Sequence, residues 1–397
     1  MEEAVMIRLK SKRNSTNSPF NLFGAIPHFS SFFALFIGLH CVTICSAQKD
    51  SVFSKGPLIY ISGFVDVYYA FDFAQPDGNK RQPFLYNHNR HNEFNLNNGF
   101  LRIGIEDESY RANLAFHAGT YVADNYAQEP LLLRPIFEAN VGIALNKRRN
   151  LWLDAGIFTS HIGFESAISI DNWTLTRSLL AENSPYYLSG AKMTWSPNKD
   201  WQISALVCNG WQRIQRLPGS SLPSFGTQVN YRKDDHLTLN WSTFIGPTGT
   251  DALRKMRYFN NLYGQIQLTE RMGFIAGFDI GFEQRTKRSA EYDAWLSPVV
   301  VARYKLSSQW YAALRAEYFE DAEEIVLSAD SPYDFKTTGL SLNFDYMPNA
   351  QIAARLEGRM FSSSDPYFRF LNGFSNQNVF IVGSLAIKFP KTTISKS

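Results

Sequence analysis

Cysteine is nearly missing from this chain. Three occur in 397 residues, at positions 41, 45 and 208, so the paired thiols of a disulfide scaffold or a cysteine-rich metal site are lacking. Charge is scarce as well: 19% of residues are Asp, Glu, Lys or Arg, and 39 basic against 36 acidic residues leave a formal charge of +3. That balance lacks the basic excess of a nucleic-acid-binding surface. Long apolar runs are absent but for one, which excludes a bundle of membrane helices, each needing roughly 20 apolar residues. Disorder is excluded by the opposite feature, since 45% of residues are hydrophobic and 15% aromatic, enough apolar surface to drive folding.

The single apolar run, Phe29 to Ala47, follows Arg8, Lys10, Lys12 and Arg13 and ends in Cys45-Ser46-Ala47 before Gln48. Basic, apolar and small residues in that order predict a secretory signal peptide over residues 1–47, cleaved after Ala47. A signal anchor that is never cut is the alternative, because a signal peptide usually has only ~15 to 30 residues. Neither Cys41, after His40, nor Cys45, after Ile44, fits a lipoprotein pattern, because a small residue is wanted there. Cleavage would leave Cys208 alone, with no partner for an internal disulfide.

The aromatic excess, 32 Phe, 19 Tyr and 8 Trp, favours strands, where flat rings pack on a pleated surface. From Leu58 onward the residues alternate with period 2, which sends successive side chains to opposite faces of an extended chain. Ile59, Ile61, Val65, Val67, Tyr69, Phe71 and Phe73 fall on one face, and Tyr60, Ser62, Asp66, Tyr68 and Asp72 on the other. Trp310, Ala312, Leu314, Ala316 and Tyr318 oppose Tyr311, Arg315 and Glu317. Ile352, Ala354, Leu356, Gly358 and Met360 oppose Gln351, Arg355, Glu357 and Arg359.

The pattern divides into about sixteen segments, the first at 58–73 and the last at 377–389. Turns of two or three residues, such as Asp107-Glu108-Ser109, Asp234-Asp235 and Pro348-Asn349-Ala350, alternate with loops that are mostly long, including 74–92, 124–135, 160–185, 320–333 and 362–376. This alternation, in an even set of strands, predicts an all-β transmembrane antiparallel barrel with short turns toward the periplasm and long loops outward. Apolar rows would then face outer-membrane lipid and polar rows a wet lumen, with Trp195, Trp201, Trp241, Tyr304, Trp310 and Phe389 among the interfacial aromatics. In lipid no sheet edge can stay open, so the last strand must pair with the first. The expected organisation is a signal peptide (1–47), a short periplasmic segment (48–57), the barrel (58–389) and a C-terminal tail (390–397). The last strand, closing on Phe389, is similar to the assembly signal that the barrel-assembly machinery of Gram-negative bacteria reads, although eight residues follow it.

One stretch is more specific than periodicity. Ala-Gly-Ile-Phe-Thr-Ser-His-Ile-Gly-Phe-Glu runs from Ala155 to Glu165, followed by Asn172, Thr176-Arg177-Ser178, Ser184-Pro185-Tyr186-Tyr187 and Gly190. Together with Gly63-Phe64-Val65-Asp66-Val67-Tyr68-Tyr69 it resembles the OmpL-like β-barrel porin family, found widely in Bacteroidetes and some other Gram-negative bacteria. The resemblance implies a passive outer-membrane pore for small hydrophilic solutes or ions, with no catalytic residue and no cofactor. It leaves open the solute and the oligomeric state, a homotrimer being a common one for porins.

A barrel of sixteen strands has a lumen wide enough for water, and the third long loop, 160–185, is expected to fold inward and narrow it. Glu165, Asp171 and Arg177 are the candidate constriction residues, since opposed charges at a narrow point select solutes. The alternative is that Glu165 and Arg177 pair with each other or with the wall and pin the loop. Inward positions carry Arg102, Arg111, His117, Arg303, Arg315, Glu317, Arg355, Glu357 and Arg359, a lining that favours anions if these charges are not mutually neutralised. The rival function is a barrel hydrolase or protease acting at the outer rim. For it the sequence offers adjacent Ser160 and His161, but no Gly-x-Ser-x-Gly elbow and no His-Glu-x-x-His. His88 and His91 with Asp77 form a weak metal candidate, discounted because loop histidines are usually solvated.

Overall fold

The computed structural model describes residues 56–327, 333–371 and 373–393; the expected signal peptide lies outside them. Alternation produces strands throughout: β1 (Leu58–Asp72), β2 (Phe94–Glu106), β3 (Tyr110–Ala118), β4 (Ile136–Ala144), β5 (Leu151–Thr159), β6 (Tyr187–Trp195), β7 (Trp201–Cys208) and β8 (Ser224–Lys233). They continue as β9 (Leu237–Thr248), β10 (Lys255–Gln267), β11 (Met272–Gln284), β12 (Tyr292–Lys305), β13 (Trp310–Asp321), β14 (Phe335–Asn349) and β15 (Ile352–Ser363). Two three-residue strands, β16 (Phe368–Phe370) and β17 (Gly373–Ser375), pair with each other in the last long loop, and β18 (Gln377–Thr393) ends the chain of elements.

All strands but β16 and β17 form one closed antiparallel barrel of sixteen, in which each pairs with its sequence neighbours and β1 pairs with β18. Closure leaves no unpaired edge, as a lipid environment demands. The apolar rows face outward: Ile59, Val65 and Val67 of β1, Leu314 of β13, Leu356 of β15 and Ile381, Leu385 and Ile387 of β18 are all exposed. Trp195, Trp201, Tyr304, Trp310 and Phe389 are exposed near the short-turn end, where one aromatic girdle is expected.

Several strand limits differ from the sequence reading, two of them for clear local reasons. β3 stops at Ala118 because Gly119, at φ +135°, turns the chain into a short helix, α1 (Thr120–Asn125); a Cβ there would sit 2.3 Å from the Asn97 carbonyl oxygen. β18 runs past Phe389 to Thr393, so Pro390–Thr393 of the expected tail are strand. Gly63 faces Phe389 and Ile61 faces Thr392, a bulge on the β18 side, where Pro390, which has no N–H, interrupts the ladder.

The long loops used below are L1 (73–93), L2 (119–135) and L3 (160–186). L3 contains a 3-10 turn at Ser169–Asp171 and the helical turn α2 (Leu179–Glu182), whose first turn is capped by the Ser178 hydroxyl accepting from Ala181 N–H at 3.3 Å.

Candidate functional site

L3 leaves β5 and runs inside the barrel. Buried backbone must find partners, and the polar inward rows supply them. The His161 carbonyl accepts from Gln228 Nε2 (3.0 Å) and Ser242 Oγ (2.7 Å), while the Gly163 N–H donates to Asn261 Oδ1 (3.1 Å). Further along, Arg355 donates to the Ser169 and Asn172 carbonyls at 2.6 and 3.1 Å. The N–H groups of Leu175, Thr176 and Leu179 donate to Asn343 Oδ1, Glu357 and Glu317 at 3.0, 2.6 and 2.7 Å.

Apolar contacts complete the anchorage. L3 contributes to each of the four buried clusters described: Ile162, Leu175 and Leu179 to the largest, Ile170 to a second with Phe64, Phe100 and Phe137, Tyr186 to a third with Tyr121 and Tyr126, and Leu180 and Ala181 to a fourth with Ile275 and Val299. L1 joins the largest cluster through Phe84, whose ring meets Phe335, Phe361, Tyr367 and Phe368 at 4.9 to 6.4 Å. The inward-folded third loop is therefore the central element of a core inside the barrel.

Beneath this core the expected lining charges are paired. Arg315 Nη2 lies 2.7 Å from Glu357 and Arg359 Nη2 2.5 Å from Glu317, across the intervening strand β14. Arg315 also approaches Glu317 at 3.3 Å and Glu165 at 3.9 Å. Arg355 and Arg303 share Asp345 at 2.7 and 3.6 Å. On the other wall Arg102 bonds Glu138 at 2.9 Å, and Arg111 reaches past Gly142 to Asp154 at 2.6 Å. His117 lies against the Arg134 carbonyl at 3.0 Å, its ring among Tyr121, Tyr126 and Phe137.

The three constriction candidates are placed differently from one another. Glu165 and Arg177 are buried within L3, but not as a pair: Glu165 accepts from Ser178 N–H and Oγ at 3.0 and 2.5 Å, and Arg177 stacks on Tyr186 at 3.8 Å. Asp171 is partly open to the lumen and bonds Lys388 of β18 at 2.7 Å.

The acids Glu138, Asp154 and Asp345 escaped the sequence reading, which followed the conspicuous arginines, although all three stand on inward rows that alternation identifies. Lys192 escaped it too. It faces the lumen directly across from Asp154 on β5, but that carboxylate is held on both oxygens by Arg111 at 2.7 and 2.6 Å. Lys192 keeps only the Phe158 ring, at 4.9 Å, and makes no ion pair among the described residues. Glu182, invisible to any periodicity because it lies in a loop, accepts from Tyr86 N–H, Asn87 Nδ2 and Tyr186 Oη at 3.2, 3.2 and 2.7 Å and so joins L3 to L1. Burial pushes its carboxyl above the ordinary range, against the pull of Arg177 and these donors.

The remaining candidates are engaged structurally. His88 Nε2 lies 2.9 Å from Asp66, and His91 Nδ1 accepts from Asp72 N–H at 2.9 Å; the Asp77 side chain lies outside what the structure describes. Ser160 Oγ accepts from Ile162 N–H at 3.2 Å while His161 Nε2 bonds the Thr243 carbonyl at 2.9 Å, so the two do not form a nucleophile and base.

A closed sixteen-stranded barrel with lipid-facing apolar rows, a charged inner wall and a loop folded into its lumen is the architecture of an outer-membrane porin. The chain belongs to the family described as "Putative beta-barrel porin-2, OmpL-like", whose model matches residues 58–389. No curated protein sequence matches it. Among solved structures, the anion-selective porin from Comamonas acidovorans superposes with a TM-score of 0.56 at 10% identity, covering 84% of this chain and 100% of that one. The outer-membrane channel DcaP of Acinetobacter baumannii gives 0.56 at 11% identity, with 84% and 98% covered. OmpT of Vibrio cholerae gives 0.53 at 10% identity, with 85% and 99% covered. At such identities the likeness concerns the fold. The chain thus has the fold of an outer-membrane porin barrel and belongs to a porin family.

Proposed function

We propose that this protein is a passive, non-enzymatic porin of the Bacteroidetes OmpL-like type, exported by a cleaved signal peptide and admitting small hydrophilic solutes past a narrow path beside L3. The observation that carries the reading is the position of L3, pinned by wall side chains within a barrel whose lower lumen is lined by Arg102, Arg111, Lys192 and amide side chains. Long loops would face outward and short turns the periplasm. Because most lining charges are neutralised in pairs, any preference for anions falls chiefly on Lys192. A homotrimer is our reading of the assembly; a trimer form has been solved for Vibrio cholerae OmpT.

Single-channel recording of the detergent-purified protein in a planar bilayer tests this directly. Stepwise ohmic currents are expected, with a reversal potential in a salt gradient on the anion side. A folded barrel that passes no current would show L3 to be a permanent plug and would remove the porin reading.

A further inference from the structure

The outer wall of β8 to β11 carries a depression of about 670 Å³, within the size range of ligand sites. Alternation explains its shape. Gly264 of β10 and Ala276 of β11 are register partners on outward rows and form the floor, where a Cβ on Gly264 would meet only Leu239, at 3.3 Å. Larger outward side chains stand around them: Tyr231 of β8, Leu239 and Trp241 of β9, Leu262 of β10 and Phe278 of β11. A hole in an otherwise continuous apolar band is the result.

A void that stays empty forfeits the dispersion contacts of its lining, so this hole calls for an apolar occupant. Two convex barrel walls laid side by side would touch along projecting rings such as Trp241 and Phe278, both exposed, and leave the floor uncovered. A flexible acyl chain can reach it. The charge at the short-turn end points the same way. Lys233 stands two residues beyond Tyr231 on the same outward row of β8, opposite Leu237 of β9. It is exposed and makes no ion pair among the described residues. In the turn that follows, Asp234 bonds Lys199 at 3.3 Å and Asp235 stands exposed, so the rim offers both signs, as a zwitterionic headgroup requires. Tyr231 is level with Leu239 and Gly264 in the ladder, and a two-residue step of a strand is roughly 7 Å. A phosphate on Lys233 therefore leaves its acyl chain at the level of the floor.

We infer that this groove binds one zwitterionic phospholipid of the leaflet at the short-turn end, with an acyl chain against Gly264 and Ala276 and the headgroup phosphate on Lys233. The site rests on the barrel's place in a membrane and is independent of conduction.

Native mass spectrometry of the detergent-purified protein, stripped of lipid and then mixed with micelles containing dioleoyl phosphatidylethanolamine, reads the site directly. One lipid per chain is expected to remain bound under conditions that remove all others. Ala276→Phe, which fills the floor from an outward position, should lower that occupancy about tenfold or more. Lys233→Gln should weaken binding about fivefold, the contribution of one lysine beside a phosphate; lying at an exposed strand end, it also serves alone should the phenylalanine variant not assemble. Retention of the lipid by a barrel that passes no current would keep the site and discard the pore. A ladder of adducts that neither substitution alters would overturn the inference. So would a lipid-free oligomer that Ala276→Phe dissociates, which would give the wall to a second copy of the chain.

Discussion

Glu317 and Arg359 meet across β14, with Arg359 Nη2 2.5 Å and Nε 3.0 Å from one Glu317 oxygen, both side chains fully buried. The strand between them presents Gly339, where a Cβ would sit 2.7 Å from Glu317 Cγ. The pair therefore exists because β14 is small at that point, and it holds L3 from both ends: Glu317 accepts from Leu179 N–H, and Arg359 donates to the Arg177 carbonyl at 2.8 Å.

Removing one member leaves the other charge buried and unpaired, a loss of about 3–5 kcal/mol. Glu317→Gln should accordingly loosen L3 without opening the barrel, whose ladder it does not touch. Larger, noisier single-channel steps and faster protease cleavage within 160–186 are the expected readouts, and a quiet, unchanged channel would deny the pair its hold on the loop. Combining Glu317→Gln with Arg359→Met should recover part of the loss.

Arg177→Glu tests the loop from inside. The change removes the stacking on Tyr186 and sets a second carboxylate near Glu182, so it should destabilise L3 by roughly 2 kcal/mol or more. Conductance should rise while the protein still assembles. Identical currents from variant and parent would take Arg177 out of the conducting path and out of its support.

Lys192 is a cation of the lumenal wall that makes no ion pair among the described residues. Lys192→Glu should lower the anion-to-cation permeability ratio roughly twofold or more, read as a shifted reversal potential across a salt gradient. The same exchange at Arg315, whose charge is spent on Glu357 and Glu317, should instead impair folding.

Acid should release L1 from L2. Burial alone would push the Asp124 carboxyl up, but hydrogen bonds from Lys80, Asn89 and Arg90 outweigh it and hold the group below its ordinary 3.8. A carboxyl whose folded value lies below its unfolded one stabilises the fold above the unfolded value and loses that contribution as pH falls through the folded one. Hydrogen exchange in residues 79–92 should therefore be unchanged down to pH 5 and accelerate only below about pH 3.8; Asp124→Asn should abolish the step.

The barrel was legible because its cause is local. Period-2 alternation places Leu314 and Leu356 outward and Arg315 and Glu357 inward whatever surrounds them, and an even number of strands joined by alternating short and long links has to close in lipid. The inward course of L3 could also be anticipated, from its length and from the width of a sixteen-stranded lumen. What alternation could not reveal is which inward charges meet. Arg315 reaches Glu357 and Arg359 reaches Glu317 over a strand that contributes only Gly339, Ser341 and Asn343 to that region, and Arg111 takes Asp154 from its cross-strand neighbour Lys192. These choices depend on side-chain reach across two strands, which sequence spacing does not encode. The role of Glu182 was further out of sight, since loops carry no period and its partners are 4 to 96 residues away. The sequence by itself determined a lipid-facing closed sheet, because backbone pairing and the alternation of faces are properties of the strand; only the tertiary structure decided that its lumen holds a packed core, because that outcome turns on how loops far apart in the chain fill one shared volume.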